Sequence, residues 1–273
     1  MPYIIKADGS KELFNQQKLE SSLARAQASP DIVAQIIDHL QTEIKAGTTT
    51  ADLYKHAFFL LHKMEKRAAV KYSLRRALSD LGPTGFPFEK YVARIFQERG
   101  FTTLTGQQVK GGCVEHEVDV VAWNDEKLIM TEAKFHNELG IKSDLKIALY
   151  VKARFDDLRE ATYFYGKRRK LDEGWLVTNT KFTSTAIEYG MCKGLTMIGW
   201  NFPARGNLQQ LIEDGNLHPV TCLSSLTRSQ AAQLVSHGVV LCKELIGHNE
   251  LLRNIGLTPD AVDAVTEEIS QLL

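Results

Sequence analysis

Asp119, Glu132 and Lys134 are two carboxylates and a cation within sixteen residues of chain. They lie in the stretch from Val114 to His136, which reads as two strands joined by a polar turn. Val118, Val120, Val121, Ala122 and Trp123 form one apolar run, and Leu128, Ile129, Met130 and Thr131 form the other. Asn124, Asp125 and Glu126 supply the turn. Centring that turn between Asp125 and Glu126 pairs Trp123 with Leu128, Val121 with Met130, Asp119 with Glu132 and Glu117 with Lys134. Directly opposed side chains share a face, with Cβ atoms roughly 4.5–5.5 Å apart. A slip of a single residue would send Asp119 and Glu132 to opposite faces. Two carboxylates so placed repel, and one is driven toward its protonated form unless a cation intervenes. Carboxylate and water are the ligands Mg²⁺ prefers. Lys134, on the face of Glu132, would orient an attacking water or steady phosphate charge, which is the chemistry of metal-assisted phosphodiester hydrolysis. An ordinary hairpin with solvated charged ends is the competing reading of the same residues.

The chain has 273 residues and a formal net charge of zero, so nucleic-acid binding must come from local basic patches and not from a global field. Cys113, Cys192, Cys222 and Cys242 are scattered without a C-x-x-C pair, which argues for reduced thiols and against a zinc ribbon or disulfide framework. No apolar run is long enough for a membrane span, and the N-terminus has no signal-peptide profile. A cytoplasmic protein with no membrane partner is expected.

The elements before the hairpin begin with a strand at Tyr3–Ile5 and a turn at Asp8–Gly9. Glu12, Leu13 and Phe14 then lead into a helix near Asn15. Periodicity predicts helices over Gln17–Ala28, Pro30–Ala46 and Ala51–Leu78, the last with Thr50 as its N-cap. The ordered residues Ile4, Lys6, Asp8, Gly9, Glu12, Phe14, Asn15, Lys18, Leu19, Thr50, Leu53, Tyr72 and Arg76 resemble the ATP-cone, a nucleotide-binding regulatory module. The resemblance implies ATP or dATP as an allosteric ligand. It implies Lys6 and Lys18 for the phosphates, and Glu12, Asn15 and Thr50 for base, sugar or phosphates. Ile4, Phe14 and Leu19 would form the base pocket. Ala7 stands where the family usually has arginine, a lost charged donor.

Gly82 to Pro87 is rich in glycine and proline and marks a boundary. Beyond it, Phe88, Tyr91, Val92, Ile95 and Phe96 fall on one face of a helix, with Glu89 at the edge of the stripe. A strand from Phe101 precedes the hairpin. After it, Asp144–Tyr163 reads as a helix with Leu145, Leu149, Ala153 and Leu158 inward. A strand over Gly174–Asn179, a helix over Thr183–Lys193 and a strand over Leu195–Trp200 complete an α-β-β-β-α-β-α-β order. That order, with Glu89, Glu117-Val118-Asp119, Glu132-Ala133-Lys134 and Leu176-Val177-Thr178-Asn179, is similar to the PD-(D/E)-x-K nuclease fold, and within it to the Mrr-type endonucleases. The resemblance implies Mg²⁺-dependent DNA cleavage. Asp119 and Glu132 would ligate the metal, Lys134 would position or activate water, and Glu89 would support the metal or its water shell. No literal Pro-Asp dipeptide occurs. Lys142, Lys146, Lys152, Arg154 and Lys167–Lys170 are candidate phosphate contacts that read equally well as solvated faces.

In the tail, Leu234-x-x-x-Gly238-Val239 recurs as Leu252-x-x-x-Gly256-Leu257, a pattern that faintly resembles paired helix-hairpin-helix units and fits a generic helical module as well. Thr227 with Gln230 forms a capping box, and Thr258 caps a helix that starts at Pro259.

The expectation is a multidomain α/β chain. Residues 1–82 form a small α+β ATP-cone, 83–204 a restriction-endonuclease-like mixed sheet flanked by helices, and 205–273 an all-α tail that binds DNA or partners. The expected function is a nucleotide-regulated, Mg²⁺-dependent endonuclease acting on DNA, a homo-oligomer by expectation, in defence against foreign DNA. The rivals are a non-catalytic, ATP- or dATP-responsive DNA-binding regulator and a repair or RNA-directed nuclease.

Overall fold

The computed structural model describes residues 2–6, 9–138 and 140–273. Ala7 and Asp8, named above for the cone, lie outside them. The chain opens with an antiparallel hairpin of β1 (Tyr3–Ile5) and β2 (Lys11–Leu13). Helices α1 (Gln16–Arg25), α2 (Pro30–Glu43), α3 (Thr50–Met64) and α4 (Lys66–Ser79) follow. Two expectations are corrected here. The N-cap of α3 is Thr49, in a capping box with Asp52, and Thr50 is the first helical residue. The single helix expected over Ala51–Leu78 is broken at Glu65, whose backbone leaves the helical region. No glycine or proline announces the break. Glu65 instead turns its carboxylate to the Ser29 N–H at 3.1 Å, at the start of α2. A capping bond of this kind offsets a lost helical turn.

The central layer is a five-stranded mixed sheet in the order β11-β9-β5-β4-β3. Helix α5 (Phe86–Glu98) leads into β3 (Thr102–Lys110), β4 (Glu115–Trp123) and β5 (Leu128–Lys134), which run antiparallel in sequence. A short β6 (Lys142–Ser143) precedes α6 (Leu145–Glu160), a hairpin of β7 (Tyr163–Tyr165) and β8 (Lys167–Arg169), and β9 (Glu173–Thr178). Strand β10 (Lys181–Phe182) pairs with β6, α7 (Ser184–Cys192) follows, and β11 (Thr196–Ile198) joins β9 in parallel. The α6 face was misread. Ala148, Val151, Phe155 and Leu158 are buried, whereas Leu149 is 44% exposed and Ala153 also faces solvent. Phe155 sets the face, because it lies directly over Gly174 of β9, where a Cβ would collide with its ring. The β7–β8 hairpin was also missed.

The tail comprises α8 (Leu208–Asp214), α9 (Arg228–Ser236), α10 (Asn249–Asn254) and α11 (Pro259–Leu272), with 3₁₀ turns at Val220–Cys222 and Cys242–Leu245. The capping box at Thr227 and the Thr258 cap form as expected. The echo around Gly238 and Gly256 has a local cause. Val239 N–H donates to Leu234 O at 3.0 Å and Leu257 N–H to Leu252 O at 3.2 Å, across glycines at φ +86° and +84°. This is the Schellman C-cap, and the helix ends at Phe96–Phe101 and Ile212–Leu217 close the same way.

The tail does not stand apart from the sheet. Phe88, Tyr91, Val92 and Phe96 of α5 belong to a core that takes in Val120, Ala122 and Ile129 of the sheet, Leu74 and Leu78 of α4, and Val240, Leu252 and Val265 of the tail. Tyr91 is fully buried and its hydroxyl donates to Leu217 O at 2.6 Å. A second core lies on the other sheet face under α6, and a third holds α1–α4 together. Among the described residues no helix is long and apolar enough to cross a membrane.

Candidate active site and nucleotide pocket

The β4–β5 register pairs Trp123 with Leu128 and Val121 with Met130, as the turn geometry requires. The ladder then stops at Val120–Thr131, so the expected direct pairs Asp119–Glu132 and Glu117–Lys134 do not form, and Glu117 pairs with Gln108 of β3 instead. The cause is a distortion at Asp119. Val118 and Val121 pack in one core while Val120 and Ala122 pack in the other, so strict alternation fails around residue 119. Gly106, at φ +59°, bends β3 between Thr105 and Gln107, whose partners Val120 and Val118 flank Asp119. A residue with a Cβ is strained in that conformation. Freed from the ladder, Asp119 accepts the Ala133 N–H at 2.7 Å. Strand β5 continues along β9, with Glu132 opposite Leu176 and Lys134 opposite Thr178. Leu128 and Met130 face the α6 core and Ile129 and Ala133 the α5 core, which puts Glu132 and Lys134 on the α6 side.

Asp119 of β4, Glu132 of β5 and Glu89 of α5 lie close enough to act on one another electrostatically. Burial, then the charge of Glu132 and more weakly that of Glu89, push the Asp119 carboxyl up to about 7, against the Ala133 N–H and Arg154, which favour its ionised form. Burial, followed by Glu117 and Glu132, also raises Glu89. Glu132 is held by Arg154 of α6, through Nη1, while Nη2 of the same guanidinium donates to the Tyr150 hydroxyl. Arg154, a candidate phosphate contact by sequence, is held on the carboxylate with its i−4 partner Tyr150, between the inward neighbours Val151 and Phe155. Lys134 makes no ion pair among the described residues. The three carboxylates do not form a group whose ligand atoms all lie within 4.8 Å; among the described residues only His39, Glu43 and His56, on the surface of α2 and α3, do so.

A buried polar network fixes the end of β5. Asn179 accepts the His136 N–H at 2.9 Å and returns a bond from its amide to His136 O at 2.8 Å. The His136 ring meets Ser143 Oγ at 3.0 Å, and Ser143 donates to Thr178 at 3.3 Å. Ser143, Thr178, Asn179 and Thr180 are wholly buried. His116 is taken up by Asp157 at 2.7 Å, which also accepts the Cys113 N–H at 2.7 Å and closes the β3–β4 turn. Lys167 and Arg169 donate to the carbonyls of Asp125 and Asn124, so part of the basic run Lys167–Lys170 anchors the β4–β5 turn.

In the cone, Ile4, Glu12, Phe14, Asn15, Lys18, Leu19 and Thr50 line one cavity of about 160 Å³, joined by Leu53, Tyr54 and Tyr72. Lys6 lines the adjoining cleft, which shares Glu12 and Thr50. Ile4, Phe14 and Leu53 form the apolar floor. Glu12 pairs with Lys6 at 2.7 Å and Lys18 at 3.2 Å, and the hydrogen bond from Lys6 in particular lowers its pKa. Asn15 caps α1, accepting the Lys18 N–H at 3.1 Å. Tyr54 and Tyr72 stack with centroids 5.1 Å apart; Tyr54 is the lining residue that sequence pattern alone did not single out.

Comparison with known proteins gives three consecutive matches. The ATP cone domain matches residues 2–77, the Mrr_cat restriction endonuclease domain residues 83–199, and the AF1548-like C-terminal domain residues 218–273. An uncharacterized protein of Archaeoglobus fulgidus is 35% identical over 183 residues, which are 67% of this chain and 99% of the relative. The crystal structure of the protein of unknown function AF1548 aligns with a TM-score of 0.56 at 35% identity, over 69% of this chain and 98% of that one. The MspJI restriction endonuclease in complex with a 27-mer oligonucleotide aligns at 12% identity with a TM-score of 0.28, over 68% of this chain and 44% of that one, a superposition too loose to bear on the site. Two thirds of the chain are thus shared with a relative matched along nearly its whole length, and an ATP-cone is joined to a restriction-endonuclease domain: the chain belongs to the AF1548-like family.

Proposed function

We propose that the protein is a nucleotide-regulated endonuclease that hydrolyses DNA phosphodiester bonds with Mg²⁺. The observation that supports this reading is the electrostatic interaction of Asp119 with Glu132 and Glu89 near the point where the β4–β5 ladder stops, with Lys134 two residues beyond Glu132. The donor set is oxygen only, and burial, with the like charge of Glu132, lifts Asp119 to about 7, a conflict that a hard divalent cation would relieve. When bound, such a cation would polarise a phosphoryl oxygen and lower the pKa of a water. Asp119 and Glu132 would hold it, the first oriented by the Ala133 N–H. Glu89 would accept from its water shell, and Lys134 would orient the nucleophile or steady charge on the phosphate. Arg154 would have to share or release Glu132. In the cone, Lys6 and Lys18 would hold phosphates, with Glu12 yielding to them, and Ile4, Phe14 and Leu19 would cover the base of ATP or dATP. Asn15 and Thr50 would contact sugar or phosphate. Helix α4, which packs in the cone core through Ala68 and Ala69 and in the sheet-and-tail core through Leu74 and Leu78, would carry the signal to α5. A role in defence is suggested by analogy with the fold family alone, and a nucleotide-dependent oligomer by the fusion of the cone to the nuclease domain.

The ion pair of Arg154 with Glu132 favours a second reading, a non-catalytic DNA-binding regulator in which the arginine permanently replaces the metal. Incubating wild type and Asp119→Ala with plasmid, Mg²⁺ and ATP separates the two. Cleavage by wild type that needs Mg²⁺ and is lost in Asp119→Ala is the expected result. Equal nicking by both proteins removes the assigned site, and DNA binding without cleavage by wild type selects the regulator.

A further inference from the structure

Between the cone, the sheet and the tail lies a cavity of about 320 Å³ that is lined by none of the corner carboxylates and meets the slot around Phe14 only at Tyr54 and Tyr72. Its charged lining is wholly basic: Arg25 of α1, Lys71, Arg75 and Arg76 of α4, and Lys181 of β10. Cations gathered in one recess repel, and burial makes the repulsion costlier. Lys181 bears the mark of it. Its pKa is lowered by burial first and then by Arg75, Lys142 and Arg25. Lys71 and Arg75 are lowered as well, chiefly by burial. Flat aromatic surface stands beside the charges. Tyr72 and Tyr54 lie stacked, with Arg76 over the Tyr54 ring at 5.7 Å, and Trp200 also lines the recess. Arg75, Arg76 and Lys181 also face a larger cleft of about 1160 Å³ that runs on to Lys6 and Lys142.

We infer that this cavity binds a phosphate-rich small molecule of the nucleoside polyphosphate class, held jointly by the cone and the restriction-endonuclease domain. Three arguments favour that class. A cavity of this volume is the size of a small-ligand site, not of a duplex groove. Several Arg and Lys side chains converging without a carboxylate in the lining match the charge and the fork geometry of a polyphosphate chain. The tyrosine pair and Trp200 offer π faces for a base. The consequence is mechanical. An anion that draws Arg25 and Lys71 toward Lys181 would tie the cone to β10, one residue beyond the buried Thr178–Thr180 segment that carries Asn179 and fixes the end of β5. The inference does not depend on the carboxylate corner being catalytic.

The test uses the full-length protein with inorganic tripolyphosphate and, separately, ATP, followed by calorimetric titration and thermal melting. Tripolyphosphate should bind wild type, and Arg25→Ala and Lys181→Ala, on different elements, should each weaken it about tenfold or more. Arg253→Ala, on α10 outside the cavity lining, should leave tripolyphosphate affinity within about twofold of wild type, since exposed charge away from the recess is largely screened. Without ligand, the Arg25 and Lys181 variants should melt no lower than wild type, because each relieves repulsion. ATP binding as a second event lost in the same two variants would identify the source as a nucleotide; tripolyphosphate alone binding there would identify free polyphosphate. Equal affinity in all four proteins, or no binding at millimolar tripolyphosphate, overturns the proposal. So does a duplex oligonucleotide that loses affinity in Arg25→Ala while small anions never bind, which assigns the recess to DNA.

Discussion

Asp119 is the residue on which the geometry of the corner turns. It leaves the β4–β5 ladder, takes the Ala133 N–H, and faces two other carboxylates in a half-buried site. The sign of its effect on stability follows. Its folded pKa of about 7 lies above the ordinary carboxylate value, so the folded state binds the proton more tightly than the unfolded chain. The stabilisation is complete below about pH 4 and is lost as pH rises through about 7. In EDTA, Asp119→Asn should therefore be more stable than wild type at pH 8, on the order of 2 kcal/mol, and nearly equal to it at pH 4. Denaturant unfolding at the two pH values checks this; an Asp119→Asn protein less stable than wild type at pH 8 would show that the carboxylate is not in conflict with its neighbours. Mg²⁺ should stabilise wild type and leave the variant unchanged. The residue types of the corner were legible in the sequence, and the turn fixed the apolar register correctly. The distortion was not legible, because Gly106 sits in a different strand and only the paired sheet sets it opposite Asp119. Arg154 was visible only as one more cation on a helix, since its role depends on which way α6 faces.

At the scale of elements, the α6 face was misjudged because its two leucines at 145 and 149 suggested a stripe, while the fold is decided by Phe155 fitting over Gly174. The β7–β8 hairpin escaped notice since its strands are three residues long and the basic run Lys167–Lys170 looks like solvent-exposed charge. Its work is to hold the β4–β5 turn through backbone carbonyls. The break between α3 and α4 needs a tertiary partner, Ser29, that no local pattern reveals. The α5 stripe, by contrast, was fully readable, since Phe88, Tyr91, Val92, Ile95 and Phe96 are all buried. Asn179 makes the element-scale prediction. Its amide both accepts from and donates to the His136 backbone, and the Asn179 side chain that makes these bonds is wholly buried, closing β5 against β9. Asn179→Ala removes both bonds to the part-buried His136 backbone and should cost about 1–3 kcal/mol. It should also slow cleavage without removing any proposed metal ligand. Unfolding in urea and plasmid nicking at saturating Mg²⁺ test the two halves, and unchanged stability would show that the end of β5 is held by other bonds.

In the molecule as a whole, one core runs from α4 through α5 to α11, so cone, sheet and tail are mechanically joined. His218 lies in this continuous region, 1% exposed, with neither ring nitrogen hydrogen-bonded among the described residues. Burial first, then Lys71 and Arg67 of α4, push its pKa down to about 4. A depressed histidine stabilises the fold above the unfolded value near 6.5, and that stability is lost as pH falls toward about 4. The expected size is on the order of 3 kcal/mol. Asp119 acts in the opposite sense across nearly the same window, so the two slopes oppose each other in the metal-free wild type. Its stability should change little between about pH 4 and 7, and single substitutions should expose each slope. Asp119→Asn should gain stability steadily with rising pH, and His218→Leu should lose it. Because the His218 ring makes no hydrogen bond among the described residues, the leucine variant should still fold at neutral pH. Urea unfolding of the three proteins at pH 4.5, 5.5, 6.5 and 7.5 in EDTA gives the slopes directly. If His218→Leu retains the wild-type profile, the histidine is not held neutral in the fold, and the compensation between His218 and the carboxylate corner is excluded.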